Sequence, residues 1–169
     1  MNGSFARVPD FGPISVNLQP ERTEDEAFLL ELYATTRQEE MRLAGWDTST
    51  QTTFIKMQFN AMRRGYASMF PGAQSSLIRY EDKPIGRIVV NHANREIRLV
   101  DLALLPDARN RGIGAGLLRT LQMEARQLRQ PVVLQVLKTN RAARLYARLG
   151  FLRTGGDEMY EHLVWHPPV

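Results

Sequence analysis

The chain has 169 residues, of which 43% are apolar and 24% charged, with a formal net charge of +4. That length suits one well-buried core, and the balance excludes the low-hydrophobicity, high-charge profile of a disordered chain. There is no cysteine, which excludes a disulfide framework, a thiolate zinc site and a thiol nucleophile.

Among the 22 basic residues only Lys56, Lys83 and Lys138 are lysine. Guanidinium suits phosphate, but the arginines are scattered with no dense basic run, so no nucleic-acid partner is expected. No stretch reaches the apolar length of a membrane span, and residues 1–13 lack the apolar centre of a signal peptide. A cytoplasmic protein with no membrane partner is the expectation.

Residues 1–13 carry Gly, Pro and Asn without periodicity and read as a loose lead-in to a single domain over 14–169. Residues 14–18 alternate apolar and polar as a half-buried strand does, and Pro20 ends it. A helix is expected from Thr23, an N-cap with Glu26 at the capping-box position, through Phe28, Leu29, Leu32, Tyr33 and Met41 to Ala44, where Gly45 closes it. A second helical pattern runs over 50–65 through Phe54, Ile55, Phe59 and Met62. Strands at 76–81, 85–91 and 96–105, separated by turn signals at 82–84 and 93–94, form an antiparallel meander. A helix over 112–129, a strand over 132–137, a helix over 140–149 and strands at 151–154 and 159–165 complete the order. The later βαβ unit calls for a mixed sheet with helices on its faces.

The strongest local signal is the strand end, loop and glycine-rich helix start at 104–116. Gly112, Gly114 and Gly116 let backbone approach a ligand with no Cβ in the way. Exposed N–H groups at a helix N-terminus bind negative oxygens, and Arg109 and Arg111 can add charge-assisted bonds. The competing reading is that these glycines only permit a turn and close packing. The spelling excludes a P-loop, which needs Gly-Lys before Ser or Thr, and the dinucleotide fingerprint, which needs Gly where Leu117 stands. In the helix that follows, Leu117, Leu118, Leu121, Ala125 and Leu128 make one apolar stripe that anchors its N-terminus by packing.

A second constellation, Asn140-Arg141-Ala142-Ala143-Arg144-Leu145-Tyr146-Ala147-Arg148-Leu149-Gly150-Phe151, follows the strand 132–137. Asn140 is placed to cap this helix and Gly150 to sit at C′. Tyr146 reads from the residues alone as a core tyrosine.

Arg109-Asn110-Arg111-Gly112-Ile113-Gly114 matches the signature Arg or Gln, two residues, Gly, one residue, Gly or Ala. With the element order and the Asn-to-Tyr-to-Gly-Phe pattern downstream, the chain resembles the GCN5-related N-acetyltransferase (GNAT) superfamily from about residue 14 to its C-terminus. The resemblance implies an α/β (α+β) fold of six to seven strands in one mixed, mostly antiparallel sheet with about four helices. It implies acetyl-CoA as co-substrate, no metal, and a small-molecule or peptide primary amine as acceptor, attacked directly without an acyl-enzyme. The cofactor would lie along Leu102, Ala103, Leu104 and Leu105, on Arg109, Asn110, Arg111, Gly112, Ile113, Gly114 and Ala115, and near Asn140, Ala143 and Tyr146. Tyr146 would protonate the departing sulfur, and backbone N–H groups of 102–105 would hold the carbonyl oxygen. Asp101 is the first candidate for the base, with Glu96, His92 or a water behind it. Its alternative role is a strand carboxylate paired with an arginine such as Arg98. Acceptor recognition would fall to 36–59, with Glu39, Glu40, Trp46 and Asp47 suited to a cationic amine, or else forming a solvated helix end. Homodimers are common in the superfamily. The alternative function is a catalytically silent acyl-CoA sensor of the same fold.

Overall fold

A computed structural model describes residues 15–169; residue 14 of the expected first strand and the lead-in lie outside them. The elements run β1 (Asn17–Pro20), α1 (Glu26–Thr36), α2 (Gln38–Ala44), α3 (Thr48–Met69), β2 (Gln74–Tyr80), β3 (Lys83–His92), β4 (Ile97–Leu104), α4 (Ile113–Leu128), β5 (Val132–Leu137), α5 (Ala143–Arg148), β6 (Leu152–Gly156) and β7 (Tyr160–Trp165). One seven-stranded sheet has the order β1-β2-β3-β4-β5-β7-β6. Only β4 and β5 pair in parallel; the other neighbours are antiparallel.

Alternation along β2 divides the core. Ile78 joins the larger apolar cluster, with Leu117, Leu118, Leu121 and Ala125 of α4 and Tyr146 of α5. Leu77, one residue earlier and so on the other face, joins Leu29, Tyr33, Met41, Ile55 and Phe59 of α1 to α3. The sheet is thus covered by α4 and α5 on one side and by α1, α2 and α3 on the other. The stripe expected on α4 is buried from Leu117 to Ala125, with Leu118 and Ala125 fully enclosed, while Leu128 at the helix end is exposed.

Several local expectations change. The single helix over 23–44 is two helices that break at Arg37 (φ −112°, ψ 4°). The Thr35 and Thr36 hydroxyls donate to the carbonyls of Leu32 and Tyr33 at 2.7 Å, competing with the helical ladder just where it ends. The expected Thr23–Glu26 capping box is replaced by Asp25, whose Oδ2 accepts from the Arg22 N–H at 2.8 Å. Gly65 does not end α3. The helix runs on to Met69 and stops at Phe70, the residue that Pro71 excludes from helical geometry. Its start is fixed by Asp47, which accepts from the Thr50 N–H at 2.8 Å. The helix expected over 140–149 is shorter, Ala143–Arg148, and its N-cap is Ala142 with no side-chain cap; Asn140 Oδ1 instead accepts from the Ala142 N–H at 2.9 Å in the turn before it, while Gly150 sits at φ +83° past its end as expected. Phe151 N–H to Tyr146 O and Gly150 N–H to Ala147 O close a Schellman motif that ties the helix to the following strand.

Candidate active site

The site begins where the sheet comes apart. β4 and β5 pair at Ile97↔Val132, Arg98↔Val133 and Leu99↔Leu134 and then stop, although β4 continues to Leu104 and β5 to Leu137. Main-chain groups along the second half of β4 therefore have no β5 partner, and in a sheet interior such groups call for another one. Leu102, Ala103 and Leu104 stand on this parted stretch and Leu105 just past it, where its N–H donates to Ile85 O on the β3 side.

The parting coincides with a β-bulge. Val89 pairs with Asp101 while Val90 pairs with Leu99, so Val100 is the extra residue on β4. A bulge shifts the two-residue alternation by one. Ile97 and Leu99 before it, and Leu102 and Leu104 after it, all pack toward the α4 cluster. Asp101, which unbroken alternation would have put on the face of Leu99, turns instead to the α1–α3 side. There its Oδ2 meets Arg87 at 2.6 Å. The partner expected for it, Arg98, pairs with Glu96 at 2.8 Å instead.

Beyond β4 the chain turns through Pro106–Ala108 into α4. Asn110 (φ +58°) and Gly112 (φ +82°) both adopt left-handed backbone, which directs the loop into the helix. The first helical bond is Gly116 N–H to Gly112 O at 2.9 Å, so the amides before it have no acceptor within the helix. No side chain caps them and the first turn holds no acidic residue. The contrast with α3, capped by Asp47, is direct: α4 presents its positive end uncompensated, as an anion site requires. A Cβ on Gly112 would meet nothing within 4 Å, whereas one on Gly114 would reach the Leu145 side chain at 3.4 Å. Gly112 serves the turn, and Gly114 the contact between α4 and α5. Arg109 folds back, its Nε donating to Leu104 O at 2.9 Å. It thereby braces the loop against the end of β4.

Across the gap stands α5 with Tyr146, buried and edge-on to Phe151 at 5.7 Å between ring centroids. Its hydroxyl makes no hydrogen bond among the described residues. Burial, and after it the Asp101 charge, push this hydroxyl up to about 12. Tyr66 of α3 is raised for the same two reasons in the same order. The Asp101 charge on β4 is thus felt by Tyr146 on α5, across the parting. His92 and Glu96 instead flank the β3–β4 turn, at the end where β4 and β5 are still paired, and His92 Nε2 contacts Glu124 of α4 at 3.0 Å.

The acidic residues of 36–59 are engaged locally: Glu39 with Arg42 at 2.6 Å, Glu40 with Arg37 at 3.1 Å, Asp47 in its cap. Trp46 lies against Phe54 at 5.0 Å and remains 42% exposed. Sequence reasoning missed Arg87 and Tyr66. A lone arginine inside Ile85-Gly86-Arg87-Ile88-Val89-Val90 was the available signal, since a charge in a buried strand needs a partner.

A family model described as an acetyltransferase (GNAT) domain matches residues 71–153, from just after α3 to the start of β6. That span holds the parted strands, the uncapped helix and Tyr146. Over that span the chain is similar to the GNAT superfamily. Solved acetyltransferase structures share its fold. The PaiA N-acetyltransferase from Thermoplasma acidophilum, in complex with coenzyme A, superposes with a TM-score of 0.63 at 16% identity, covering 90% of this chain and 99% of its own. An acetyltransferase from Thermus thermophilus gives 0.63 at 16% identity over 89% and 96%. A Corynebacterium glutamicum protein described as histone acetyltransferase HPA2 and related acetyltransferase gives 0.61 at 19% over 92% and 98%. No curated protein sequence matches the chain significantly. Among the described residues no helix is long and apolar enough to cross a membrane, and no cluster of three or more His, Asp or Glu could hold a metal.

Proposed function

We propose that this protein transfers an acetyl group from acetyl-CoA to a primary amine. The observation that carries the proposal is the uncapped, acid-free N-terminus of α4 at the mouth of the parted β4–β5 pair. Amides of 110–115 would hold the pyrophosphate, assisted by the Arg111 guanidinium, and the unpaired main chain of 102–104 would take the pantetheine amides. Asn140 and Ala143, at the start of α5, stand on the far wall.

Bound acetyl-CoA supplies an activated thioester, whose carbonyl carbon gains a bond to the amine nitrogen as its bond to sulfur breaks. Asp101 takes the first proton from the ammonium, freeing the nitrogen lone pair. Tyr146 gives its proton to the leaving sulfur; a hydroxyl held near 12 stays protonated at neutral pH and so arrives with a proton to give. The second nitrogen proton, shed after attack, returns to Tyr146 through water. The proton on Asp101 passes to solvent, so one ammonium and one thioester yield one amide, one thiol and one proton.

The test is thiol release from acetyl-CoA across a panel of primary amines. With no cysteine in the chain, thiol reagents meet no protein background. Amine-dependent release supports the proposal; CoA binding without release for any amine identifies the silent sensor instead.

A further inference from the structure

Arg87 is the only charged residue among the buried ones of the described chain, at 6% exposure. It sits on β3 with its Cα opposite Ala103, diagonal to Asp101, and its Nη2 reaches Asp101 Oδ2 at 2.6 Å. The same nitrogen lies 3.8 Å from Met62 Sδ on α3. Its Nε has no hydrogen-bond partner, and neither has Gln58 Oε1, one helical turn before Met62. Gln58, Met62 and Tyr66 succeed one another at four-residue intervals and so share one face of α3, which covers this ion pair. Asp101 is more open, its side chain 24% exposed.

Burying a guanidinium costs several kcal/mol unless it is paired, and an apolar residue would fill a β3 position between Gly86 and Ile88 without that cost. Packing therefore does not account for an arginine here, whereas a fixed carboxylate does. We propose that Arg87 is the positioning residue of the reaction. It holds Asp101 by Oδ2 from within the core, so that the other carboxylate oxygen is presented to the amine. Arg87 itself touches neither substrate, because it is buried beneath α3. The groups facing Asp101 are Arg87 from β3, Tyr66 from α3 and Tyr146 from α5, with Tyr33 and Tyr160 close to Tyr66. Arg87 is the one cation in this set.

This inference rests on the acetyltransferase reading, and one experiment separates the two. CoA affinity by calorimetry, and kcat and KM with the amine that wild type acetylates fastest from a panel of propylamine, spermidine, glycinamide and a lysine-containing peptide, are measured for Arg87→Met and Arg87→Lys. Arg87→Met is expected to bind CoA within about twofold of wild type and to lose tenfold or more in kcat while the amine KM changes by less than about threefold. Arg87→Lys is expected to restore most of the lost kcat. An unchanged kcat in Arg87→Met overturns the inference, as does a loss of kcat matched by an equal loss of CoA affinity. The double variant R87M/D101N removes both charges of the pair at once, keeping the comparison available if the single change does not fold. It must match Asp101→Asn alone, and any further loss in kcat overturns the inference. A wild type that binds no CoA, or acetylates no amine of the panel, overturns the acetyltransferase reading first.

Discussion

Tyr146 carries two separable consequences. As the proton donor to sulfur it matters to turnover and little to cofactor binding, so Tyr146→Phe should lower kcat by about 10²-fold, the low end for general acid catalysis, while CoA affinity by calorimetry stays within twofold. As a buried phenol it also matters to stability. Its folded-state value near 12 lies above the usual 10. Between those values the unfolded chain releases a proton that the folded chain keeps, so its stabilising contribution is complete below pH 10 and lost as pH rises to 12. Tyr66 shifts in the same direction. Urea midpoints taken from pH 8 to 11 should therefore fall above about 10, and Tyr146→Phe should flatten the decline. The roles of these residues were unequally legible in the sequence. Gly150 acts where local capping rules put it, because capping depends on residues a few positions apart, whereas Asn140 bonds in the turn before α5 and does not cap it. The partner of Asp101 was not legible, since it depends on a bulge that turns Asp101 to the α1–α3 face and on the β3–β4 register that sets Arg87 diagonal to it.

Elements test the scaffold around the site. Gly86 faces the parted stretch of β4 from β3, and a Cβ there would collide with the Ala103 carbonyl oxygen and the Leu104 side chain. Gly86→Ala should displace 103–104, weaken CoA binding several-fold by calorimetry and lower the melting temperature, with the binding loss persisting well below that temperature. The end of α4 offers the opposite case. Arg129 holds left-handed backbone at φ +54°, and Gln130 N–H bonds to Ala125 O, the geometry that glycine adopts without strain. Arg129→Gly should raise unfolding stability by about 0.5–1 kcal/mol, net of the entropy glycine adds to the unfolded chain. Helix and strand positions from β2 to β7 were readable largely from periodicity because nearly all of these elements carry one buried face, β6 being the exposed exception. The break at Arg37 and the run of α3 past Gly65 were not, since the first turns on threonine hydroxyls and the second on a proline six residues beyond the end expected at Gly65.

At the scale of the molecule, the element order and the two motifs pointed to the GNAT fold, and the seven-stranded sheet carries it with one helix more than expected, because the first helix is divided. What sequence patterning could not show is the parting of β4 from β5, for both strands read as ordinary buried strands on either side of it. In the proposed site that gap, the uncapped α4 beyond it and Tyr146 across it act together, and a ligand held there would bind only the folded state. CoA should accordingly raise the melting temperature in proportion to the logarithm of its concentration once that exceeds the dissociation constant. The most direct test of the whole account is titration of the wild-type protein with CoA by isothermal calorimetry. The account predicts saturable binding of about one CoA per chain with a dissociation constant below the millimolar range, and absence of binding heat at millimolar CoA, at two temperatures, would contradict it.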